Sequence, residues 1–433
     1  MPRIMSSNVE LGLDYGTLSI EDFGTNPVYM QLRAGGSGVH GGSARALSPF
    51  TRTLLALGIA VAPALAGVLP EDRADVMWHL YKGGDITIQG PSVLVRKKVG
   101  DNLSLSANYY EDMISSASID VKLSASPYHE TRRQESVAAD YLHGKSTYSA
   151  GFITSKEPDY KANTEYFAVS QDMFGDLTTL TLGYRRGWDR VYRDIKTPQG
   201  FIENDPTFHE RADHRGYSLS LTQILTRNAI LGFNYELLTD QGYLANPYRK
   251  IRFLSPGQGA GFTLTDQVYP TTRTSSSASL QLKYYLPYRA ALTGQYRFFH
   301  DTWGITARTA EVDYTHPVRK HLILDGSFRY YHQGPADFYS DLFPRANYQN
   351  FMGRDRELAA FNSYTVGAGA SWLFAMPFVP ALGRNSINLR VDHLMIDYSD
   401  FRNALLAGTY GAGNEPLYKL NANIFQVFFS IWF

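Results

Sequence analysis

The sequence predicts an all-β fold: a transmembrane antiparallel up-and-down β-barrel of about 16 strands. Three observations carry the prediction. Runs of about ten residues alternate apolar and polar, the connections between them alternate short and long, and the last run has an apolar face that ends on Phe433.

Composition bounds the reading first. The 433-residue chain balances 41 Lys+Arg against 41 Asp+Glu, so no basic face for nucleic acid is advertised. Aromatics reach 14% against 19% charged residues, which excludes a disordered chain. With no cysteine, disulfides, Cys-ligated metal clusters, covalent c-type haem and a lipid anchor on an N-terminal Cys are excluded. No cofactor is expected.

The most apolar stretch, LLALGIAVAPALAG from Leu54 to Gly67, is too short to span a bilayer as a helix, which takes about 20 apolar residues. Arg45 and Arg52 precede it and Ala64-Leu65-Ala66 closes it. These are the parts of a secretory signal, with cleavage after Ala66. Residues 1–48, which include the Gly/Ser-rich AGGSGVHGGSARALS, read as a flexible or non-native extension, with Met30 as a candidate start. Residues 49–66 are then the signal peptide and 67–433 the barrel.

Period-two alternation begins soon after. In Leu322–Tyr331, Leu322, Leu324, Gly326, Phe328 and Tyr330 share one face, and Ile323, Asp325, Ser327, Arg329 and Tyr331 the other. Leu231, Phe233, Tyr235 and Leu237 alternate with Gly232, Asn234 and Glu236, and Ile387, Leu389 and Val391 with Asn388, Arg390 and Asp392. Counting back from the C-terminus places strands at 421–433, 386–398, 363–375, 321–332, 305–316, 290–301, 274–286, 229–240, 214–225, 177–188, 163–173, 147–156, 133–142, 103–115 and 86–99. A single-chain barrel needs an even number. VMWHLY at 76–81 supplies the sixteenth strand; fourteen with an N-terminal plug is the alternative.

A soluble sandwich would show the same alternation with its apolar face inward. Three features favour the membrane. Several strands end in aromatics (Tyr109, Tyr184, Tyr284, Phe299, Trp303), as interfacial girdles require. The polar faces carry full charges at mid-strand, which a sandwich core would not tolerate unpaired. Short turns near 101, 143, 174, 226, 288 and 318 alternate with long connections near 116–131, 188–213, 240–272, 332–362 and 400–420. That is the pattern of periplasmic turns and external loops. In NIFQVFFSIWF, Phe425, Val427, Phe429, Ile431 and Phe433 share one face, like the closing-strand signal read by the outer-membrane assembly machinery.

Several stretches carry a more specific likeness. They are the segment from MWHLYKGGD to ASIDV at 77–121, SQDMFGDLTTLTLGYRRGWD at 170–189, GYLANPYRKIRFL at 242–254, YYLPYRAALTGQYRFFHDTWGI at 284–305 and FYSDLFPRANYQNFMGRDREL at 338–358. The chain resembles, on these stretches, an uncharacterised outer-membrane family known as domain-of-unknown-function family 3570. The resemblance implies an outer-membrane barrel. By the association of its genes with those of a small lipoprotein, a thioredoxin-like protein and a flavin transferase, it also implies a redox-linked envelope system.

Candidate chemistry is sparse. His209 and His214 are five apart in a segment read as an external loop, where a zinc-protease motif needs i, i+4 spacing on a helix, so no metal site is expected. In the adjacent pairs His300-Asp301 and Asp392-His393, strand neighbours point to opposite faces, so neither forms a dyad within one face. No catalytic motif is found and an enzyme is not expected. Gly257-Gln258-Gly259-Ala260-Gly261 lacks the Lys-Ser/Thr of a phosphate loop and reads as loop punctuation.

The alternation places Glu236, Lys283, Arg297, Asp313, Asp325, Arg329, Arg390 and Asp392 in the lumen, with both signs present. They either brace the wall across strands or line an aqueous pathway. The 332–362 connection gathers Asp337, Asp341, Arg345, Arg354, Asp355, Arg356 and Glu357 beside Phe338, Tyr339, Phe343 and Tyr348. Folded inward it would be a constriction loop; the other reading is an external binding loop. The leading functional expectation is a channel or export conduit of unknown cargo in the bacterial outer membrane. A structural sleeve or anchor for a lipoprotein or periplasmic redox partner is the alternative. The partners expected are membrane lipid and the assembly machinery, with no nucleic acid.

Deleting Phe433, or the change Phe433→Asp, is expected to lower the outer-membrane level far more than Ser430→Ala, because the closing strand must pair for the barrel to exist in lipid. Heat-modifiability gels on outer-membrane fractions measure this; equal levels of the variants would contradict it.

Overall fold

The structure is a computed structural model that describes residues 67–116, 123, 128–196, 202–257, 259–375 and 384–433. The extension and the signal sequence lie outside the described residues. Sixteen strands form one closed antiparallel barrel in chain order. They are β1 (Arg73–Gly83), β2 (Ile86–Val99), β3 (Leu103–Ser116), β4 (Tyr128–His143), β5 (Ser146–Glu157), β6 (Tyr160–Met173), β7 (Thr178–Lys196), β8 (Ile202–Thr226) and β9 (Ala229–Gly242). After a separate hairpin, β10 (Lys250–Leu254) and β11 (Phe262–Asp266), the wall resumes with β12 (Thr272–Tyr285), β13 (Ala291–Asp301), β14 (Thr306–Arg319), β15 (Leu322–Gln333), β16 (Phe361–Phe374), β17 (Arg384–Arg402) and β18 (Leu417–Trp432). The strand at 73–83 completes the even count as a wall element, so the fourteen-stranded alternative does not hold.

Closure follows from the solvent. Lipid offers no hydrogen bonds to the backbone, so an open edge is untenable and the first strand must find the last. β1 pairs with β18 from Arg73↔Trp432 to Gly83↔Ala422, and with β2 on its other side from Arg73↔Arg96 to Gly83↔Ile86. The β1–β2 hairpin turns on Gly84 and Asp85, with φ of 57° and 59°. Positive φ at both central residues gives the turn whose twist matches the flanking strands.

Alternation then sorts the side chains. Trp372 is 65% exposed, Val137 59% and Leu182 54%, all facing outward, while Ile86 and Ile88 face inward at 2% and 1%. Phe425, Val427 and Phe433 are on the outer face of the closing strand. An apolar exterior around a polar interior makes this a membrane barrel of the outer-membrane kind. No helix among the described residues is long and apolar enough to cross a membrane.

Two assignments made from the sequence change. The 188–213 connection is mostly strand: β7 runs 19 residues to Lys196 and β8 runs 25 residues from Ile202. A membrane strand needs about 9–11 residues, so this hairpin projects well beyond the bilayer on the external side. There both faces meet water or loops and no lipid-facing apolar stripe is needed, which is why the alternation fades. Phe299 and Trp303 are not girdle residues, being buried at 7% and 2%. Phe299 has the lumen-facing parity of β13, and Trp303 stacks edge-on to Tyr269 and Phe338 with centroids 5.4 and 5.2 Å apart.

The apolar core lies inside the external end of the barrel. Tyr81, Ile86 and Ile114 from β1–β3, Tyr160 and Val191 from β6 and β7, and Phe361, Leu394, Tyr398, Phe401, Leu420 and Ile424 from β16–β18 join one cluster. Tyr248 and Ala359, contributed by external loops, belong to the same cluster. Walls on opposite sides of the bore are thus bridged by loop residues. Phe401→Ala, at a fully buried position, is expected to destabilise by about 3–5 kcal/mol, and Tyr348→Ala, at an exposed loop position, by no more than about 0.5 kcal/mol. Urea unfolding in lipid vesicles distinguishes them.

Candidate functional site

The cap over the external mouth is built from three connections, 243–271, 334–360 and 403–416. Arg252 on β10 is their junction. Its guanidinium binds Asp341 of the second connection and Glu415 of the third, with no solvent exposure of its own. Its Nε also donates to the Asp341 carbonyl at 2.8 Å. Arg354 meets the other Asp341 oxygen at 2.9 Å and lies 4.5 Å from the Phe401 ring centroid. Arg249 meets Asp355 at 3.2 Å and Glu357 at 3.5 Å, and the Tyr269 hydroxyl donates to Asp355 at 2.6 Å. A planar five-donor guanidinium suits such bridging, since one side chain satisfies carboxylates from separate segments.

Backbone contacts between the loops are few. Phe343 bridges Phe253 and Met352 bridges Val268, as isolated pairs rather than ladders. From the 334–360 connection, Asp341, Arg354, Asp355, Arg356 and Glu357 are buried. Arg356 lies 5.9 Å from the Tyr418 ring. Arg345 stays exposed at the tip, donating to the Asn347 carbonyl at 3.5 Å. Gln333, lumen-facing on β15, donates to the carbonyls of Glu357 and Ala359 at 2.8 Å each, holding the returning end of this loop to the inner wall.

Below the cap the bore is polar. Arg390 of β17 reaches Asp325 of β15 at 3.1 Å and Asp392 at 2.9 Å, and donates to Ser327 at 2.8 Å. This crosses β16, where Gly367 and Gly369 make the room: a Cβ there would lie 2.1 Å from Asp392 and 2.3 Å from Asp325. Arg297 approaches Glu236 at 4.0 Å and donates to Ser277 at 3.2 Å, and Arg329 approaches Glu311 at 4.0 Å. Lys283 and Asp313 share one row, both registered on Thr293 of β13. The eight lumenal charges therefore form a mixed-sign lattice on neighbouring strands.

Two further networks escaped sequence reasoning. His214 of β8 points inward, its Nδ1 2.7 Å from Asp240 and its Nε2 3.1 Å from Asp189, with the Tyr160 hydroxyl also donating to Asp189. Each ring nitrogen thus faces a carboxylate oxygen to which it can donate. His209, five residues earlier, stacks edge-on to Tyr192 at 5.6 Å; odd and even positions of one strand face apart, so the two histidines share no ligand site. On β1–β5, His79 meets Asp112 at 2.8 Å and the Tyr110 hydroxyl at 2.9 Å, and Arg132 joins Asp112 at 3.2 Å, Ser155 at 2.9 Å and Gln134 at 2.9 Å. Each network draws residues from several neighbouring strands, and the signal available was only inward parity.

The adjacent His–Asp pairs are separately engaged. Asp301 binds Arg273 and accepts from the backbone of Trp303 at 2.9 Å, while His300 meets Thr306 at 3.3 Å. His393 meets Asn423 at 2.8 Å, away from Asp392. Among the described residues, Glu130, Glu157 and Asp159 bring carboxylate oxygens within 4.8 Å of one another. Such hard oxygens suit a divalent cation. Arg132 at 3.7 Å from Glu157 and the Tyr248 hydroxyl at 2.8 Å from Asp159 already engage two of the three.

The profile of a family described as Protein of unknown function (DUF3570) matches residues 120–404. Four of the five stretches that carry the resemblance lie inside that span, and 77–121 lies almost wholly before it. No curated protein matches the sequence. Among solved structures, a FadL homologue from Pseudomonas aeruginosa is 11% identical, with 87% of this chain and 94% of that one covered and a TM-score of 0.39. OpdK from the same species is 11% identical over 84% of this chain and 99% of its own, at 0.39. The toluene transporter TodX of Pseudomonas putida is 11% identical over 86% and 92%, at 0.40.

Arg252→Met is expected to strand the buried Glu415 charge and to leave Asp341 with Arg354 alone, at about 3–5 kcal/mol, and to make the connections at 334–360 and 403–416 cleavable by protease added to intact cells at pH 7. Burial raises the Glu415 carboxyl, but the hydrogen bonds and charge of Arg252, together with backbone donors including the Gly413 amide, outweigh it and leave the pKa lowered. A depressed folded pKa stabilises above the unfolded value and the contribution is lost as pH falls through the folded one. Wild-type protection should therefore be level from about pH 7 to 5 and decline below about pH 4. Limited proteolysis across that range checks both.

Proposed function

The chain belongs to the DUF3570 family, which brings no established activity, and from its own residues we propose that it is an outer-membrane channel or export conduit whose external mouth is held shut by stitched loops. One observation carries the reading. A polar, mixed-charge bore runs beneath a cap joined at the buried Arg252–Asp341–Glu415 junction. A lumen lined by both signs conducts small polar solutes without strong preference for either charge. A cap held by side chains and isolated bridges is separable from the wall without breaking the ladder of the barrel, so it is suited to move.

A second reading is favoured by a different feature, the apolar cluster that packs across the external end of the bore. A sleeve that grips a lipoprotein or a periplasmic redox protein needs no opening there. An enzyme is the least supported, because the His–Asp neighbours are engaged separately. The assembly machinery and lipid remain the partners that the closing strand and the outer belt suit.

Planar-bilayer recording discriminates. Wild-type protein should conduct weakly, and shortening 340–357 should raise conductance several-fold. Near-zero conductance after that deletion, with the barrel still heat-modifiable, would remove the channel reading and leave the sleeve.

A further inference from the structure

The segment before β1 is pinned at both ends. At its far end Asp72 accepts from the Lys98 backbone at 2.7 Å and meets Lys97 at 2.7 Å, and Glu71 binds Arg384 of β17. At its near end the Gly67 nitrogen donates to Asp172 at 2.9 Å. Asp172 is lumen-facing near the periplasmic end of β6, five places around the ring from β1. Six residues reach at most about 20 Å, so 67–72 runs from one wall to another beneath the bore, with Leu69 buried along the way.

Asp172 is an unusual acceptor. It is 5% exposed, and its other oxygen takes the Thr179 hydroxyl at 2.5 Å. Among the described residues no Lys, Arg or His side chain pairs with it. A buried carboxylate without a cation is costly, and a neutral amide donor answers only part of the cost. The residue that does touch it directly follows Ala64-Leu65-Ala66, the small-residue pattern that closes the apolar stretch.

We propose that hydrolysis of the Ala66–Gly67 bond leaves Gly67 as the mature amino terminus, and that its ammonium ion pairs with Asp172 and fixes residues 67–72 as a strap across the periplasmic end of the bore. In that step a water adds across the amide: the C–N bond breaks, Ala66 keeps a carboxylate, and the released Gly67 amine takes up a proton. The new cation forms where the buried carboxylate lacks one. Docking then depends on processing, because only the cleaved chain carries the cation that neutralises Asp172.

The test uses full-length protein processed in its own cell and extracted from outer membrane. Intact mass and terminal sequencing should give a chain that begins at Gly67; a start at any other residue overturns the proposal. The α-amine is then titrated with an aldehyde reagent specific for N-terminal amines. A free α-amine titrates near pH 8, and an adjacent carboxylate raises that by about one unit, which slows labelling at pH 7 about tenfold. Asp172→Asn should restore the ordinary titration and the faster rate. A wild-type titration at the ordinary value overturns the docking, and so does an Asp172→Asn rate equal to wild type. If that variant does not assemble, the wild-type titration still decides.

Discussion

Everything in this molecule follows from the requirement that no backbone hydrogen bond be left open to lipid. The pairing of β1 with β18 meets it, and once the ring is closed each strand has one face to lipid and one to the bore. Sixteen strands enclose a bore wider than wall side chains alone can fill. What occupies that space is where the chain becomes individual.

Two solutions coexist along the axis. In the bore below the cap, charges of opposite sign settle against one another on neighbouring strands, as Arg390 does with Asp325 and Asp392 over the two glycines of β16. Toward the outside the loops turn inward, and the space is filled by an apolar cluster to which Tyr248 and Ala359 belong. The change of filling coincides with a change of strand character. β7 and β8 continue past the membrane as a paired hairpin and give the loops a wall to lean on, with the Tyr248 hydroxyl accepting from the Asp194 backbone at 2.6 Å.

The cap concentrates its cohesion in few side chains. Arg252 joins three connections, and Arg249 and Arg354 reinforce it. Removing one partner of a buried charged pair is far more damaging than never having had the pair, so the cohesion of the cap is sensitive to single substitutions at this junction. The wall does not share that sensitivity, because its continuity lies in backbone ladders.

The sequence by itself determined the barrel, its strand count and its two faces. Strand periodicity is a local property, and in a lipid-facing ring it is enforced at every position. It could not show that β8 extends 25 residues, since outside the bilayer nothing demands an apolar stripe. Nor could it show β10 and β11, five residues each, which pair only with one another and lie outside the wall. The residues of 334–360 were visible as a dense mixture of charge and aromatics. That Asp341 would find Arg252, 89 positions away, and Asp355 find Arg249, 106 positions away, was decided only in three dimensions. Loop pairings of that kind depend on where the ends of the loops are held, and the closed ring alone fixes those ends.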